Sequence, residues 1–447
     1  ITNYRKVQEN MKPIGDDGYR PASIEFTADN TLFVSSDGQK VPLNDPRLTI
    51  LVPSMGDLNS QMFAAAFRSL GINAIAMPEG NQEILKQGRK NTTGKECLPL
   101  ILCVGTMMDY LENKWDGNSF TAYFIVQGSG DCRLGQYPVF MRDMIKRKKM
   151  RNVTPLALSQ ENGFAGLGDD FAKNAVLGLM TADVLDDVRS GIMANAVDPE
   201  HGEMVFHREF EKYKESFIKD PSKVFKYLTT MAETIKKEVP CKTHIDDSKY
   251  IALLGEMYVR RDRFAHKFLS KYFAKHGFIV KDAYITEWLY YIDYLMKIKI
   301  IEPKKSIKDS KERMVRNLYM QYAEIRVKKA LAKSGYYKYE RTNIDPLLNH
   351  SKHLFPLECR GEVGLTVGTV LHETLDHYCG VINVGPFGCM PTRTTEAVVT
   401  PELTVKGKVE AHRLNDPKYK INPIFKDTMT LPFLTIESDG NVYPQVI

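Results

Sequence analysis

At 447 residues, with 43% hydrophobic and 26% charged side chains, the chain has a globular make-up too long for one ordinary domain, and two or three compact units are expected. A net charge of +6 argues only weakly for an anionic partner, and the densest basic run, Lys146 to Lys149 with Arg151, lacks interleaved aromatics and reads as the solvated end of a helix, not a nucleic-acid surface. No stretch reaches the roughly 18 to 20 apolar residues of a membrane span, the first residues carry no secretory pattern, and seven cysteines, an odd number, fit a reducing cytoplasm.

Residues 1–46 are polar and broken by Pro13, Gly15, Gly18 and Pro21, with a hairpin at 32–38, and read as an N-terminal extension rather than a core. Residues 48–52 predict a buried strand, and 58–70 have the i, i+3, i+4 apolar spacing of a helix that Gly71 ends. A strand at 72–77, a short helix at 82–87 and an apolar helix at 98–111 follow. Then come a strand at 122–126, a helix at 137–149 and a strand at 153–158. This alternation predicts a parallel, doubly wound sheet, with a first α/β lobe over 47–160. Long charged helical patterns at 169–193, 206–219 and 221–237 make 161–245 a helical connection. A strand at 250–254 restarts the alternation, followed by a helix at 261–275, a strand at 278–280 and helical segments to Ser334. Strands at 354–357, 381–384 and 433–436 complete a second α/β lobe over 246–447. The ends at Ile1 and Ile447 read as those of a piece of something longer.

Three cysteines share a position. Cys97, Cys132 and Cys389 each sit in a Gly/Pro-rich loop directly after an apolar run, or open the helix that follows one. Ligands of α/β proteins gather outside the carboxyl ends of the strands, so thiols there are candidates for one site. Three convergent thiolates point to a metal or a cluster of iron and sulfur. Cys97 would lie at a helix N-terminus, where the dipole and free amides stabilise a thiolate. Gly128 and Gly130 would let backbone approach a bulky inorganic group beside Cys132, with Arg133 offsetting its charge. Cys389, between Gly388 and Met390-Pro391, opens a helix over 394–399.

A free cysteine is also a small buried hydrophobe. Cys103, inside an apolar helix, and Cys379, before the strand at 381–384, read as packing; Cys241 stands in a polar linker without supporting context. Cys359, in another strand-to-helix loop, is the reserve for a fourth ligand. Glu256 and Arg260, after the strand at 250–254, are the candidate catalytic residues if they face the crevice between lobes; the alternative is a salt-bridged loop. His372 and His377, beside Glu373 and Asp376, read as a solvated helix face rather than a ligand set. Neither a Cys-x2-Cys pair, a His-Glu-x-x-His motif nor a phosphate loop is present.

In Leu51-Val52-Pro53 with its following helix, Gly94 to Gly105 around Cys97, Gly128 to Arg133, Gly255 to Arg260, Glu287-Trp288 and Gly385 to Pro391, the chain resembles the 2-hydroxyacyl-CoA dehydratase and double-cubane-cluster family. The likeness is to the portion found in acyl-CoA dehydratase activase-related proteins, and it spans most of residues 47 to 440. It implies two Rossmann- or flavodoxin-like lobes holding an oxygen-sensitive iron-sulfur cluster, either 4Fe-4S or a double-cubane 8Fe-9S cluster. By position, Cys97, Cys132 and Cys389 inherit the ligand role. It also implies a partner, an ATP-hydrolysing activator of the actin/Hsp70 fold with its own 4Fe-4S cluster, and a sister subunit or a homodimer. Low-potential electrons would pass from that activator to a small substrate, with acyl-CoA reduction or dehydration as the outcome.

Departures bear on this. Leu98 stands where many relatives have Tyr, and Asp131 where a glycine is usual. No actin-like ATPase pattern is visible, so ATP chemistry would belong to a partner or to a missing part. Three ligands leave one iron of a cubane open, and a double cubane needs more thiolates. Two alternatives stay open: a non-catalytic electron-transfer or scaffold subunit, and a cluster-free α/β protein that binds a small molecule.

Overall fold

The computed structural model describes residues 18–27, 30–128, 132–158, 167–301 and 307–440. Pro13 and Gly15 lie outside the described residues, as do Gly130 and Asp131 of the Cys132 loop. Strands β1 (Ser23–Phe26), β2 (Thr31–Val34) and β3 (Lys40–Pro42) pair antiparallel in that order. Phe33 is fully buried and stacks on Phe120 at 5.1 Å between ring centroids. This stretch therefore adds to the core of the first lobe, contrary to the expectation of an extension; its few inward residues, Ala22, Phe33, Val41 and Leu43, are diluted by a polar outer face.

The first large sheet is parallel, in the order β5-β4-β6-β7, from β4 (Leu48–Val52), β5 (Ala74–Ala76), β6 (Phe120–Val126) and β7 (Val153–Leu158). Every residue of β7 and all but the last of β6 are buried, because helices cover both faces of a parallel sheet. Those helices include α1 (Asp57–Arg68), α2 (Gln82–Lys90), α3 (Leu98–Asn113) and α4 (Tyr137–Arg147). α2 and α3 meet backbone to side-chain-free backbone. A Cβ on Gly88 would lie 2.0 Å from the Ile101 carbonyl oxygen, and one on Gly105 would lie 2.1 Å from that of Ile84.

The middle region is helical: α5 (Gly168–Asn195), α6 (Pro199–Lys219) and α7 (Val224–Glu238). α6 begins earlier than its apolar spacing predicts because the Asp198 side chain accepts from His201 N–H and Pro199 fits the first turn. α5 is buried along most of its length, Asp183, Asp187 and Arg189 included, since it packs on α1 of the first lobe and on the second sheet.

The second large sheet is also parallel, in the order β11-β10-β8-β9: β8 (Lys249–Gly255), β9 (Phe278–Asp282), β10 (Gly380–Pro386) and β11 (Phe433–Ser438). Its helices are α8 (Met257–Arg261), α9 (Leu269–Ala274), α10 (Glu287–Lys297), α11 (Ile307–Ala332), α12 (Asp345–Ser351), α13 (Val363–Glu373), α14 (Met390–Val399) and α15 (Val405–Arg413). Within each lobe the strand order is 2-1-3-4, the first four strands of the flavodoxin-like order, whose ligands bind where the order reverses. One apolar cluster runs from Leu51, Leu98 and Met141 through Tyr258 and Phe264 to Leu253 and Val384, so the lobes share a core. Among the described residues no helix is long and apolar enough to cross a membrane.

Two predicted elements differ. Residues 354–357 form no strand: Phe355 packs into the second lobe's core, and the chain turns into a single 3-10 turn at Leu357–Cys359. The helix expected over 261–275 is broken after Arg261 and resumes at Leu269, with Lys267 (φ 61) and Phe268 (φ 57) in left-handed conformations. Tertiary contacts impose the break. Arg261, with no exposed side-chain surface, reaches Asn59 Oδ1 at 2.6 Å, Asp186 Oδ2 at 2.9 Å and Asp183 Oδ1 at 3.1 Å through Nη2. The Asp262 carboxylate accepts from Gly80 N–H at 2.9 Å and the Ser54 hydroxyl at 3.2 Å. Arg263 donates from Nε to Glu79 at 2.6 Å.

A Gly105→Ala substitution tests the α2–α3 contact. The added methyl must push one helix away, so unfolding stability is expected to drop by about 1–3 kcal/mol. Equal denaturant midpoints for variant and wild type would contradict the contact.

Candidate functional site

All three candidate cysteines are helix caps. Cys97 is the N-cap of α3 and Cys389 that of α14, each with Pro in the first turn; Cys132 caps a 3-10 turn at Arg133–Gln136. A capping side chain lies beside backbone N–H groups that have no partner within the helix. Leu134 N–H donates to Cys132 Sγ at 3.5 Å. Cys97 Sγ lies 2.6 Å from the Tyr137 hydroxyl. Arg133 donates to the Lys95 carbonyl oxygen at 3.0 Å, which ties the Cys132 loop to the Cys97 loop.

Cys97 and Cys132 belong to the first lobe and Cys389 to the second, yet the Glu256 carboxyl acts on all three thiols. Glu256 follows β8, at the reversal point of the second sheet. Its carboxylate caps α8 by accepting from Val259 N–H at 2.8 Å, and its own N–H donates to Val384 at 2.8 Å. The preceding Gly255 has φ +103, and a Cβ there would lie 2.1 Å from the Val384 oxygen, so this turn requires glycine.

Arg260 does not stand free in the crevice. It is buried in the second lobe and donates to the carbonyl oxygens of Gly255 at 2.6 Å and Ala283 at 3.2 Å, with Glu362 at 3.3 Å. Arg260 and Glu362 also border a small cleft with Glu287, Trp288, Thr366 and Thr369. Sequence reasoning missed Glu362, which sits past the cysteine loop it did consider. Cys359 is exposed on its 3-10 turn and acts on Tyr291.

Burial governs the electrostatics. It pushes the Cys97 thiol up and the Cys389 thiol up to about 12. Cys132 stands exposed, yet enough protein surrounds its sulfur to push the thiol up to about 11. Burial also raises Glu256, and raises Glu362 to about 8, with Arg260 opposing and Glu256 adding. Glu362 therefore keeps its proton at neutral pH.

The three sulfurs are not gathered within 4.8 Å of one another. One tetrahedral ion with metal–sulfur bonds of about 2.3 Å would draw them to roughly 3.8 Å, so this arrangement does not fit a single zinc-like ion. A cluster, whose thiolates bind separate irons, does not require that closeness.

The other cysteines divide. Cys103 is buried, as an apolar helix interior demands; Cys241 and Cys379 are exposed, so Cys379 does not pack as expected. His372 is not on a solvated face either: it lies half-buried against His350 and His412. His377 lies beyond the end of α13 and pairs with Glu373. No known protein family, curated protein or solved structure matches the chain.

Glu362 makes stability depend on pH. The unfolded carboxyl ionises near about 4.3, and the folded one at about 8. Between these values the folded state holds the extra proton, so this group's contribution falls as pH rises and levels off above the folded value. Glu362→Gln is therefore expected to gain on wild type between pH 6 and pH 9, on the order of 2 kcal/mol in denaturant unfolding. A constant difference across that range would show that the carboxyl ionises normally.

Proposed function

We propose that the chain is an iron-sulfur redox protein in which Cys97, Cys132 and Cys389 hold a cluster in the crevice between the lobes. Low-potential electrons arrive from a separate ATP-hydrolysing activator of the actin/Hsp70 type with its own 4Fe-4S cluster, and pass to a small substrate. An acyl-CoA thioester that is reduced or dehydrated is the substrate class the resemblance favours. The observation that supports this reading is positional: three thiols from three loops and two lobes each cap a helix, and the Glu256 charge helps to raise all three.

When bound, the cluster supplies one-electron transfer at low potential. The chain supplies the rest. Helix N-terminal amides favour the thiolate forms and can donate to cluster sulfides. The Tyr137 hydroxyl orients Cys97. Glu362, protonated at neutral pH and held beside Arg260, keeps a proton on its carboxyl oxygen close to where an electron would arrive. Seven unpaired cysteines suit a reducing cytoplasm.

One observation favours a second reading, an electron-transfer or scaffold subunit. Phe387 (73% exposed) and Met390 (43% exposed) flank Cys389 with apolar surface open to a protein partner, a sister subunit or a second copy.

Purified without oxygen, the wild-type chain is expected to be coloured and to carry iron and acid-labile sulfide in comparable amounts. Cys97→Ala, Cys132→Ala and Cys389→Ala should each lose most of the iron, while Cys103→Ala retains it. A colourless, iron-free wild type sinks the proposal. Substrate turnover by the isolated chain with an artificial low-potential reductant would support the enzyme over the scaffold reading.

A further inference from the structure

We propose that His350, His372 and His412 form a binding site for a late first-row divalent metal ion, zinc foremost, built from residues the cysteine site does not use. The three imidazoles come from α12, α13 and α15, and one ring nitrogen from each lies within 4.8 Å of the other two. α12 and α13 approach closely because Gly368 has no side chain: a Cβ there would lie 2.1 Å from the Leu347 carbonyl oxygen.

The surroundings of the rings bear on which nitrogens are open to a metal. His350 Nδ1 lies 2.6 Å from the Pro346 carbonyl oxygen, which can only accept, so Nδ1 bears the hydrogen. That leaves a lone pair on Nε2, buried and without a hydrogen-bond partner among the described residues. His412 Nε2 lies 3.2 Å from the His372 carbonyl oxygen and 3.2 Å from Lys408 Nζ. Lys408 also donates to Leu371 O at 2.9 Å and His372 O at 2.7 Å, and it pairs with Asp376 Oδ2 at 2.9 Å. His372 Nε2 faces Glu373 Oε1 at 3.6 Å, and its Nδ1 is buried without a partner among the described residues.

His350 and His412 each set one nitrogen against a backbone carbonyl and His372 sets Nε2 toward a carboxylate, the outer arrangement that orients metal-binding histidines. Neutral imidazole is the ligating form, and burial lowers the pKa of all three. Three neutral nitrogens suit zinc and its neighbours in the first row rather than calcium or magnesium. The Asp376 and Glu373 carboxylates balance the positive charge of Lys408 and of an incoming cation. His350 and His412 are 3% and 5% exposed; His372, at 25%, leaves the way in.

The test uses the full chain with Cys97, Cys132 and Cys389 replaced by Ser, so that failure of the cluster reading leaves it untouched. After removal of metal with a chelator, the protein is titrated with zinc alone. One zinc ion per chain is expected, with His372→Gln and His412→Gln weakening binding by about 100-fold and His353→Gln, an exposed histidine, leaving it unchanged. Cobalt in place of zinc, in this variant or in the wild type should the variant fail to fold, is expected to give visible absorption without sulfur-to-metal charge transfer. No zinc retained, or equal affinity in the histidine variants and wild type, means the rings are a packed imidazole stack and overturns the proposal.

Discussion

The buried guanidinium of Arg261 is where the three parts of the chain are held together. It ends α8 of the second lobe, reaches Asn59 in the first, and bridges Asp183 and Asp186 on α5. Charges this deep lose their hydration, so the network adds little net stability over an apolar seam of the same shape. What it adds is geometry. Arginine's planar fork is weakly hydrated and meets several oxygens at once, which an apolar side chain cannot do. Asp262 and Arg263 continue the grip on the first lobe through Ser54, Gly80 and Glu79. With four consecutive residues, 260 to 263, committed to partners, α8 cannot slide, and Glu256 at its head is fixed relative to Cys97.

The crevice inherits that rigidity. The two sheets have the same strand order, and Cys132, Glu256 and Cys389 follow the carboxyl ends of β6, β8 and β10, while Cys97 comes at a helix cap instead of a strand end. Two of the thiols come in the same local frame, Cys followed by an apolar residue and Pro, in which proline occupies a first-turn position where its missing N–H costs nothing. Such caps aim backbone dipoles at sulfur without any charged side chain. The carboxyls that do approach, Glu256 and Glu362, are pushed toward their neutral forms by burial, which eases their crowding with one another.

Much of this was legible because parallel strands buried on both faces read as unbroken apolar runs: residues 48–52, 122–126, 153–158, 250–254 and 381–384 all proved to be strands. The loop position of Cys97, Cys132 and Cys389 was readable from glycine and proline punctuation. The break after Arg261 was not, since Arg-Arg-Asp-Arg continues a helical pattern and only partners far along the chain interrupt it. Leu354 to Leu357 read as a strand from its apolar content alone, and nothing local said that β10 and β11 would fill that sheet. The histidine triad left no periodic trace at all, because His350, His372 and His412 sit on three helices and meet only through α12–α13 packing.

The partners of residues 261 to 263 lie up to 208 positions earlier in the chain. During synthesis, Asp57, Glu79, Asp183 and Asp186 are all made before the arginines that neutralise them, and Asp183 and Asp186 share one turn of α5. Until Arg261 and Arg263 arrive, Arg189 is the cation among these four carboxylates, pairing Asp57 at 3.5 Å and Asp186 at 3.3 Å, and the seam keeps an excess of negative charge. The first lobe and α5 can form their own apolar contacts and the Arg189–Asp57 pair in that interval, and the later segment removes the repulsion that remains. The order of ribosomal emergence thus makes the second lobe the step that closes the first, and exposes an acidic face on the nascent chain for as long as that step is delayed.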